Sequence, residues 1–266
     1  MSLVGFHLMS TIIFPSPIFG PIHSRRLGLS LGVNLLPGDG KLCNFYCIYC
    51  ECGLNADFRP HLRMPSKDLV ISSLEAKLQS MQAQGQLPDT ITFAGNGEPT
   101  LHPDFSEIID KTLQLRDRYA PKAHISVLTN ATHIDRPAVF DALMKVDNPL
   151  LKLDTVNADY IHLVDRPTSH YDLNHLIEKM KAFGSKAVIQ TMFLKGQWEG
   201  HDVSNVTEAF IQPWLETLRL IGPKLVTIYT IDRETPRHGL LKATPQELDG
   251  IAARVRLLGL DVTVSY

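Results

Sequence analysis

"LSLGVNLLPGDGKLCNFYCIYCEC" runs from Leu29 to Cys52 and joins two patterns of different kinds. In its first eight residues Leu29, Leu31, Val33 and Leu35 fall on one face, and Ser30, Gly32 and Asn34 on the other. That is the two-residue period of a β-strand with one buried side. The strand then passes through "PGDGK" into a loop, Cys43–Cys52, that holds all four cysteines of the 266-residue chain.

Working outward, the same strand pattern recurs. Thr90–Ala94, His124–Leu128, Leu150–Leu153, Ala187–Phe193, Leu225–Ile231 and the closing "LDVTVS" read as strands. Amphipathic helices are expected between them at Ser66–Gln84, Pro103–Arg118, Tyr171–Phe183, Val203–Leu220 and Pro245–Leu258. Pro103 followed by Asp104 and Glu107 suits a helix start, with acids near the positive end of the dipole. Repeated strand–helix units give a parallel sheet with right-handed crossovers. Six or seven units are too few to close an eight-stranded barrel. The expected fold is therefore α/β, a partial (β/α)6 TIM-type barrel open on one side.

Composition narrows the function classes. With 44% hydrophobic residues and a net charge of −2, the chain can bury a large core and carries no global field for nucleic acid or membrane. No apolar run approaches the roughly 18 residues of a spanning helix. "MSLVGFHLMSTIIFP" lacks a basic start and breaks at Pro15, which makes it a poor signal peptide. Residues 1–18 are expected to form an N-terminal extension, part of which an added or alternative start would explain, and residues 19–266 one core domain. Clustered rather than dispersed cysteines point to a reducing cytoplasm.

Thiolates bind zinc or iron–sulfur clusters, and spacing discriminates between them. Structural zinc sites pair two C-x-x-C knuckles across a long segment, and no second knuckle exists here. Cys43, Cys47 and Cys50, spaced C-x-x-x-C-x-x-C, suit three irons of a cubane and leave the fourth iron without a protein ligand. An open coordination position marks a catalytic site, by the logic that holds for zinc. The alternatives are a structural zinc loop using all four cysteines and a set of buried thiols.

"CNFYCIYC", with aromatic Tyr49 before its third cysteine, resembles the signature of the radical SAM superfamily. "GPIHSRRLGLSLGVNLLP", "FAGNGEPTLHPDF", "LKLDTVNADYIHLVDRP" and "YTIDRETP" extend the resemblance to the subgroup of wybutosine-synthesis-like Fe–S oxidoreductases. The resemblance covers the chain from about Phe19 onward. It implies a [4Fe–4S] cluster on Cys43, Cys47 and Cys50, with S-adenosylmethionine on the open iron. It also implies reductive cleavage to methionine and a 5′-deoxyadenosyl radical that abstracts a substrate hydrogen. Cofactors then carry the difficult chemistry and the protein supplies binding, orientation and exclusion of side reactions. Phe45, Tyr46, Ile48 and Tyr49 would shield the cluster. Cys52 lies outside the motif and reads as a small hydrophobe.

The remaining candidates sit at the other strand ends, where barrel chemistry is found. "GNGEPT" occupies the place of the superfamily's Gly-Gly-Glu-type motif, so Gly95, Gly97 and Glu98 are assigned to the methionine moiety. As a bare sequence it is also a tight turn. Asn130 faces the expected mouth, although turn chemistry explains it equally well. On the fourth strand Leu151 and Leu153 share one face and Lys152 and Asp154 the other. If the leucines pack under helices, the charged pair points inward, beside the adenosyl group or as a structural ion pair. Gln190 is a similar candidate on the fifth strand. Together with Tyr49, these residues form the expected cofactor-binding set.

Basic residues recur in the mouth segments, at His23, Arg25, Arg26, Arg59, His61, Arg63, Arg166, Arg233 and Arg237. Arg25, Arg26 and Arg233 are the expected contacts to an anionic substrate. The substrate stays open between a small anionic molecule, a protein and RNA. A one-electron donor such as flavodoxin or ferredoxin is expected as partner, and no membrane. No cysteines remain for a second cluster, and the charge is not that of a strong RNA binder, which argues against copying the tRNA-modifying activity. A glycyl-radical enzyme activase and, in another class, a non-enzymatic metal or redox module are the other readings.

Overall fold

Period-two alternation puts aliphatic side chains on one face of each strand, and the fold follows from where that face is buried. In the computed structural model, which describes residues 11–24 and 27–266, β1 (Ile18–Ser24) runs antiparallel to β2 (Gly28–Val33) at the sheet edge. The sheet continues in parallel through β3 (Thr90–Phe93), β4 (His124–Thr129), β5 (Asn148–Lys152) and β6 (Val188–Met192). Beyond a small hairpin, β7 (Leu194–Trp198) and β8 (His201–Asp202), it is completed by β9 (Leu225–Tyr229) and β11 (Val262–Ser265). The order β1-β2-β3-β4-β5-β6-β9-β11 is linear, so the two edge strands do not pair and the curled sheet stays open.

The helices are α1 (Lys67–Ala83), α2 (Phe105–Tyr119), α3 (Pro137–Lys145), the single turn α4 (Ala158–Tyr160), α5 (Leu173–Lys181), α6 (Glu208–Ile221) and α7 (Pro245–Leu257). The units β2–α1, β3–α2, β4–α3, β5–α5, β6–α6 and β9–α7 make the (β/α)6 half-barrel that the pattern predicts. Local chemistry sets the helix ends. Ser66 accepts from Leu69 N at the start of α1, and Thr244 with Glu247 forms a capping box on α7. The last helix but one starts at Glu208 rather than Val203. Residues 203–205 are drawn into the β7–β8 hairpin instead: Val203 N donates to Gly196 O, and Asn205 Oδ1 accepts from Leu194 N.

The two faces of the sheet differ in chemistry. Leu31, Val33, Ile91, Phe93, Ile125, Val127, Leu151 and Ile189 form the continuous core against the helices. The concave face carries hydroxyls and amides. Ser30 and Thr92 share a hydrogen bond of 2.8 Å, Thr90 and Ser126 one of 3.1 Å, and Asn148 donates to Ser126 at 3.2 Å. The oily layer thus lies outside the half-barrel and the polar one lines its hollow.

At the C-terminal end of β6 and β9 a second sheet forms, in the order β10-β7-β8, where β10 is Leu240–Lys242. The turn between β7 and β8 is Glu199–Gly200, both residues at positive φ, as a two-residue hairpin of the right twist requires. β10 pairs with β7 and so ties down the loop that follows β9. No helix among the described residues is long and apolar enough to cross a membrane.

The outer layer should carry most of the stability. Leu151→Ala removes a fully buried side chain from the core and is expected to cost about 2–5 kcal/mol. Urea unfolding checks this: the midpoint should fall with the slope unchanged.

Candidate active site

The cysteine loop leaves β2 and is clamped from both sides. On one side it joins the end of β3: Leu42 N donates to Asn96 O at 2.8 Å, and Glu98 N donates to Leu42 O at 3.2 Å. Gly97 sits so close that an added Cβ would lie 1.9 Å from the Leu42 carbonyl oxygen, and its φ is +135°. No other residue type fits that backbone without displacement. On the other side the loop meets the segment after α4, which ends in a π-helical turn, Ile161–Asp165. Tyr46 N donates to Asp165 O at 2.9 Å, Ile48 N to Val164 O at 3.0 Å, and Thr168 N to Asn44 O at 2.9 Å. Phe45, Ile48 and Tyr49 then bury their side chains with Tyr160, Val164, Met192 and Leu194 in a small core of their own. Tyr46 is only half-buried, its ring lying under the Arg166 guanidinium at 5.3 Å.

All four cysteines are reduced thiols. Burial pushes Cys43 up to about 12 and Cys47 well above the usual thiol range. Cys50 is pulled well below it, by a hydrogen bond with Cys52 first and, against the cost of burial, by the charge of Lys41. Lys41 is 2% exposed, and its Nζ donates to Gly53 O at 2.7 Å. Burial works to strip its proton, yet the neighbouring Cys50, Cys43 and Cys47 outweigh that and raise its pKa. Cys52, buried, lies against Gly95 O at 3.3 Å. Asn55 donates to Cys43 O at 2.7 Å and leaves its own Oδ1 buried without a partner. Three thiols around one buried ammonium are a donor set with the charge and softness that an iron–sulfur cluster needs. Among the described residues no group of three or more His, Cys, Asp or Glu side chains is arranged to hold a single metal ion.

The other strand ends converge on this loop. Glu98, 2% exposed, accepts from Thr100 N (3.1 Å), Thr100 Oγ1 (2.6 Å), Thr129 Oγ1 (2.7 Å) and Asn130 N (2.7 Å). Burial raises its pKa while these donors pull it back. The carboxylate thereby fastens β3 to β4. Asn130 donates to Asn44 Oδ1 at 2.6 Å and lies 3.9 Å from Cys43 Sγ. On β5 Leu151 and Leu153 do pack under helices, and Lys152 and Asp154 face the hollow. Lys152 pairs with Asp154 and, at 3.0 Å, with Asp165. Tyr49 Oη joins both Lys152 and Asp154. Asp154 also accepts from Met192 N at 2.9 Å. Burial raises Asp165 to about 6, against the pull of Lys152. Gln190 is level with Lys152 on one side and Thr227 on the other.

Arg233 forms an ion pair with Glu51 at 3.2 Å, beside the cysteine loop. Arg25 and Arg26 lie outside the described residues. A cavity of about 450 Å³ opens on the hollow face, with Phe14, Phe19, His23, Thr92, Glu51 and Arg233 among its walls.

The family profile of the radical SAM superfamily matches residues 40–202. This chain belongs to the radical SAM superfamily. Members of this superfamily are enzymes that use a [4Fe–4S] cluster and S-adenosylmethionine. A UPF0026 protein of Helicobacter pylori strain 26695 is 30% identical over 223 residues, covering 82% of this chain and 67% of that protein. A Brachyspira hyodysenteriae protein named GTPase Obg is 29% identical over 238 residues. Those cover 87% of this chain but 32% of the relative, so this radical SAM chain spans about a third of that protein's length. In fold it is similar to a radical SAM methyltransferase from Sphaerobacter thermophilus (TM-score 0.65, 16% identity, 89% of this chain and 66% of that one).

Several residues of the site carry no signal in a first reading of the sequence. Asn34 and Asn96 are fully buried ties to the segment around Phe14. Asp165 was visible only as part of "VDRP", and Lys41 only as the basic residue of "GDGK".

The Gly97 clamp is directly testable. Gly97→Ala is expected to cost about 1–3 kcal/mol from backbone strain alone and more from the clash, and to lower iron uptake. Thermal unfolding together with iron quantitation after anaerobic reconstitution reads both.

Proposed function

We propose that Cys43, Cys47 and Cys50 hold the [4Fe–4S] cluster, and that the ends of β3, β4 and β5 bind S-adenosylmethionine beside it. The observation that carries this reading is the convergence of all three strand ends on one loop through hydrogen bonds that leave little play. When bound and reduced, the cofactor pair would supply a 5′-deoxyadenosyl radical for hydrogen abstraction from a substrate. The chain's own work is positional. The 95–98 segment would offer backbone groups to the methionine end, and Glu98 would add its Oε2, which accepts only from Asn130 N while the other three donors fall on Oε1. Lys152 pairs with both Asp154 and Asp165, and Tyr49, bonded to Lys152 and Asp154, ties the cysteine loop to the end of β5. The apolar core around Phe45 and Ile48 keeps water from the cluster side.

For the substrate, the cavity beside Glu51 and Arg233 supports a molecule that enters from the open edge of the half-barrel. Its floor of serine and threonine hydroxyls favours a polar one. Arg233 would exchange its bond to Glu51 for a carboxylate or phosphate of that molecule. The resemblance to the wybutosine-synthesis subgroup supports the radical chemistry. The near-neutral charge weighs against RNA as the bulk partner. A flavodoxin- or ferredoxin-type protein would deliver the electron.

Replacing Cys43, Cys47 or Cys50 by Ala should abolish the absorbance of the reconstituted cluster and cleavage of S-adenosylmethionine, whereas Cys52→Ala should keep both. Equal loss with Cys52→Ala would sink the ligand assignment. Arg233→Ala is expected to spare uncoupled cofactor cleavage while lowering turnover of the true substrate at least tenfold, measured by product analysis against metabolite, peptide and RNA pools.

A further inference from the structure

The site contains a charge that neither the clamps nor the ligand spacing requires. Lys41 stands two residues before Cys43 and is among the largest fully buried side chains of the protein. A buried ammonium is costly unless an anion compensates it, by several kcal/mol after relaxation. Its protein partners are a neutral carbonyl, Gly53 O at 2.7 Å, and the Cys50 thiol. The carboxylates of the site are engaged elsewhere: Glu98 by Thr100, Thr129 and Asn130, Asp154 and Asp165 by Lys152, and Glu51 by Arg233. The groups left to face Lys41 are the sulfurs of Cys43, Cys47 and Cys50, which become anions when they ligate iron. Its side chain is locked in place, because the chain before it carries Gly40, where a Cβ would lie 2.4 Å from the Phe58 carbonyl oxygen. Lys41 N in turn donates to that same oxygen at 2.7 Å.

We propose that Lys41 is a positioning residue for electron transfer: a fixed buried cation that offsets the negative charge of the three-thiolate cluster and makes its one-electron reduction easier. This rests on the reading of Cys43, Cys47 and Cys50 as cluster ligands. Reduction adds one negative charge to a group already anionic, in a water-poor pocket where Coulomb interactions are weakly screened. A cation locked against the sulfurs stabilises the reduced form more than the oxidised one. The potential is thereby set in part by a residue that ligates nothing.

The test compares wild type, Lys41→Met and Lys41→Arg after anaerobic reconstitution. Iron and sulfide per chain are measured, and the cluster midpoint is taken from a redox titration followed by electron paramagnetic resonance. Lys41→Met keeps length and apolar bulk but removes the charge. With iron retained, its reduced-to-oxidised ratio at a fixed potential should fall at least tenfold, a shift of about 59 mV for one electron. Lys41→Arg should stay within threefold of wild type. A folded Lys41→Met that binds no iron, beside an iron-replete Lys41→Arg, also supports the charge. Iron-replete Lys41→Met with the wild-type midpoint overturns the inference and leaves the ligand reading intact. So does loss of iron from both folded variants, which would make Lys41 a packing element of the loop. A wild-type chain that takes up no iron overturns the ligand reading, and this inference with it.

Discussion

The close approach of Gly97 to the Leu42 carbonyl is the constraint on which the site depends. It is a backbone contact that admits no side chain, and it ties the residue immediately before Cys43 to the end of the neighbouring strand. Once that contact is made, Glu98 is delivered next to the end of β4, and its carboxylate collects donors from Thr100, Thr129 and Asn130. Asn130 then faces Cys43. One glycine therefore fixes the relative placement of three strand ends and of Cys43. The second clamp, from the turn at Ile161–Asp165, fixes the other half of the loop and carries Asp165 to Lys152. π-helical turns of this kind are frequent at functional sites.

A division of labour between the two sheet faces lets the fold tolerate such a polar interior. Stability comes from the aliphatic layer between strands and helices, and the hollow is left to hydroxyls, amides and paired charges. Among the described residues the charges nearest the cysteine loop have partners. Lys152 answers two aspartates, and Arg233 answers Glu51. Lys41 has sulfur. The pattern is what a cavity needs if it is to admit a polar molecule without paying twice for buried charge.

The half-barrel was legible because its signals are local. Alternation placed Leu151 and Leu153 outward and Lys152 and Asp154 inward, and the three-cysteine spacing pointed to the cluster. What escaped reading depends on contacts distant in sequence. Lys41 finds its hydrogen-bond acceptor in Gly53, at the far side of the cysteine loop. Asp165 matters only because β5 brings Lys152 to it. β1 carries Pro21 and follows Pro17, residues that demote a strand pattern, and the edge position is what makes them tolerable. α3 follows a polar, turn-like stretch, and Arg136 before it makes no side-chain cap to mark its beginning. The β7–β8 hairpin was hidden because Glu199 takes a positive φ that the residue type seldom adopts.

The central claim is that the clamped loop is a ligand set for one iron–sulfur cluster with an iron left open to S-adenosylmethionine. The measurement that reaches it most directly is iron and sulfide quantitation on the anaerobically reconstituted wild-type chain, followed by electron paramagnetic resonance of the reduced protein with and without S-adenosylmethionine. The account predicts four irons and four sulfides per chain and a spectrum that changes when S-adenosylmethionine is added. Stoichiometric zinc in place of iron, or an iron signal indifferent to S-adenosylmethionine, would contradict it.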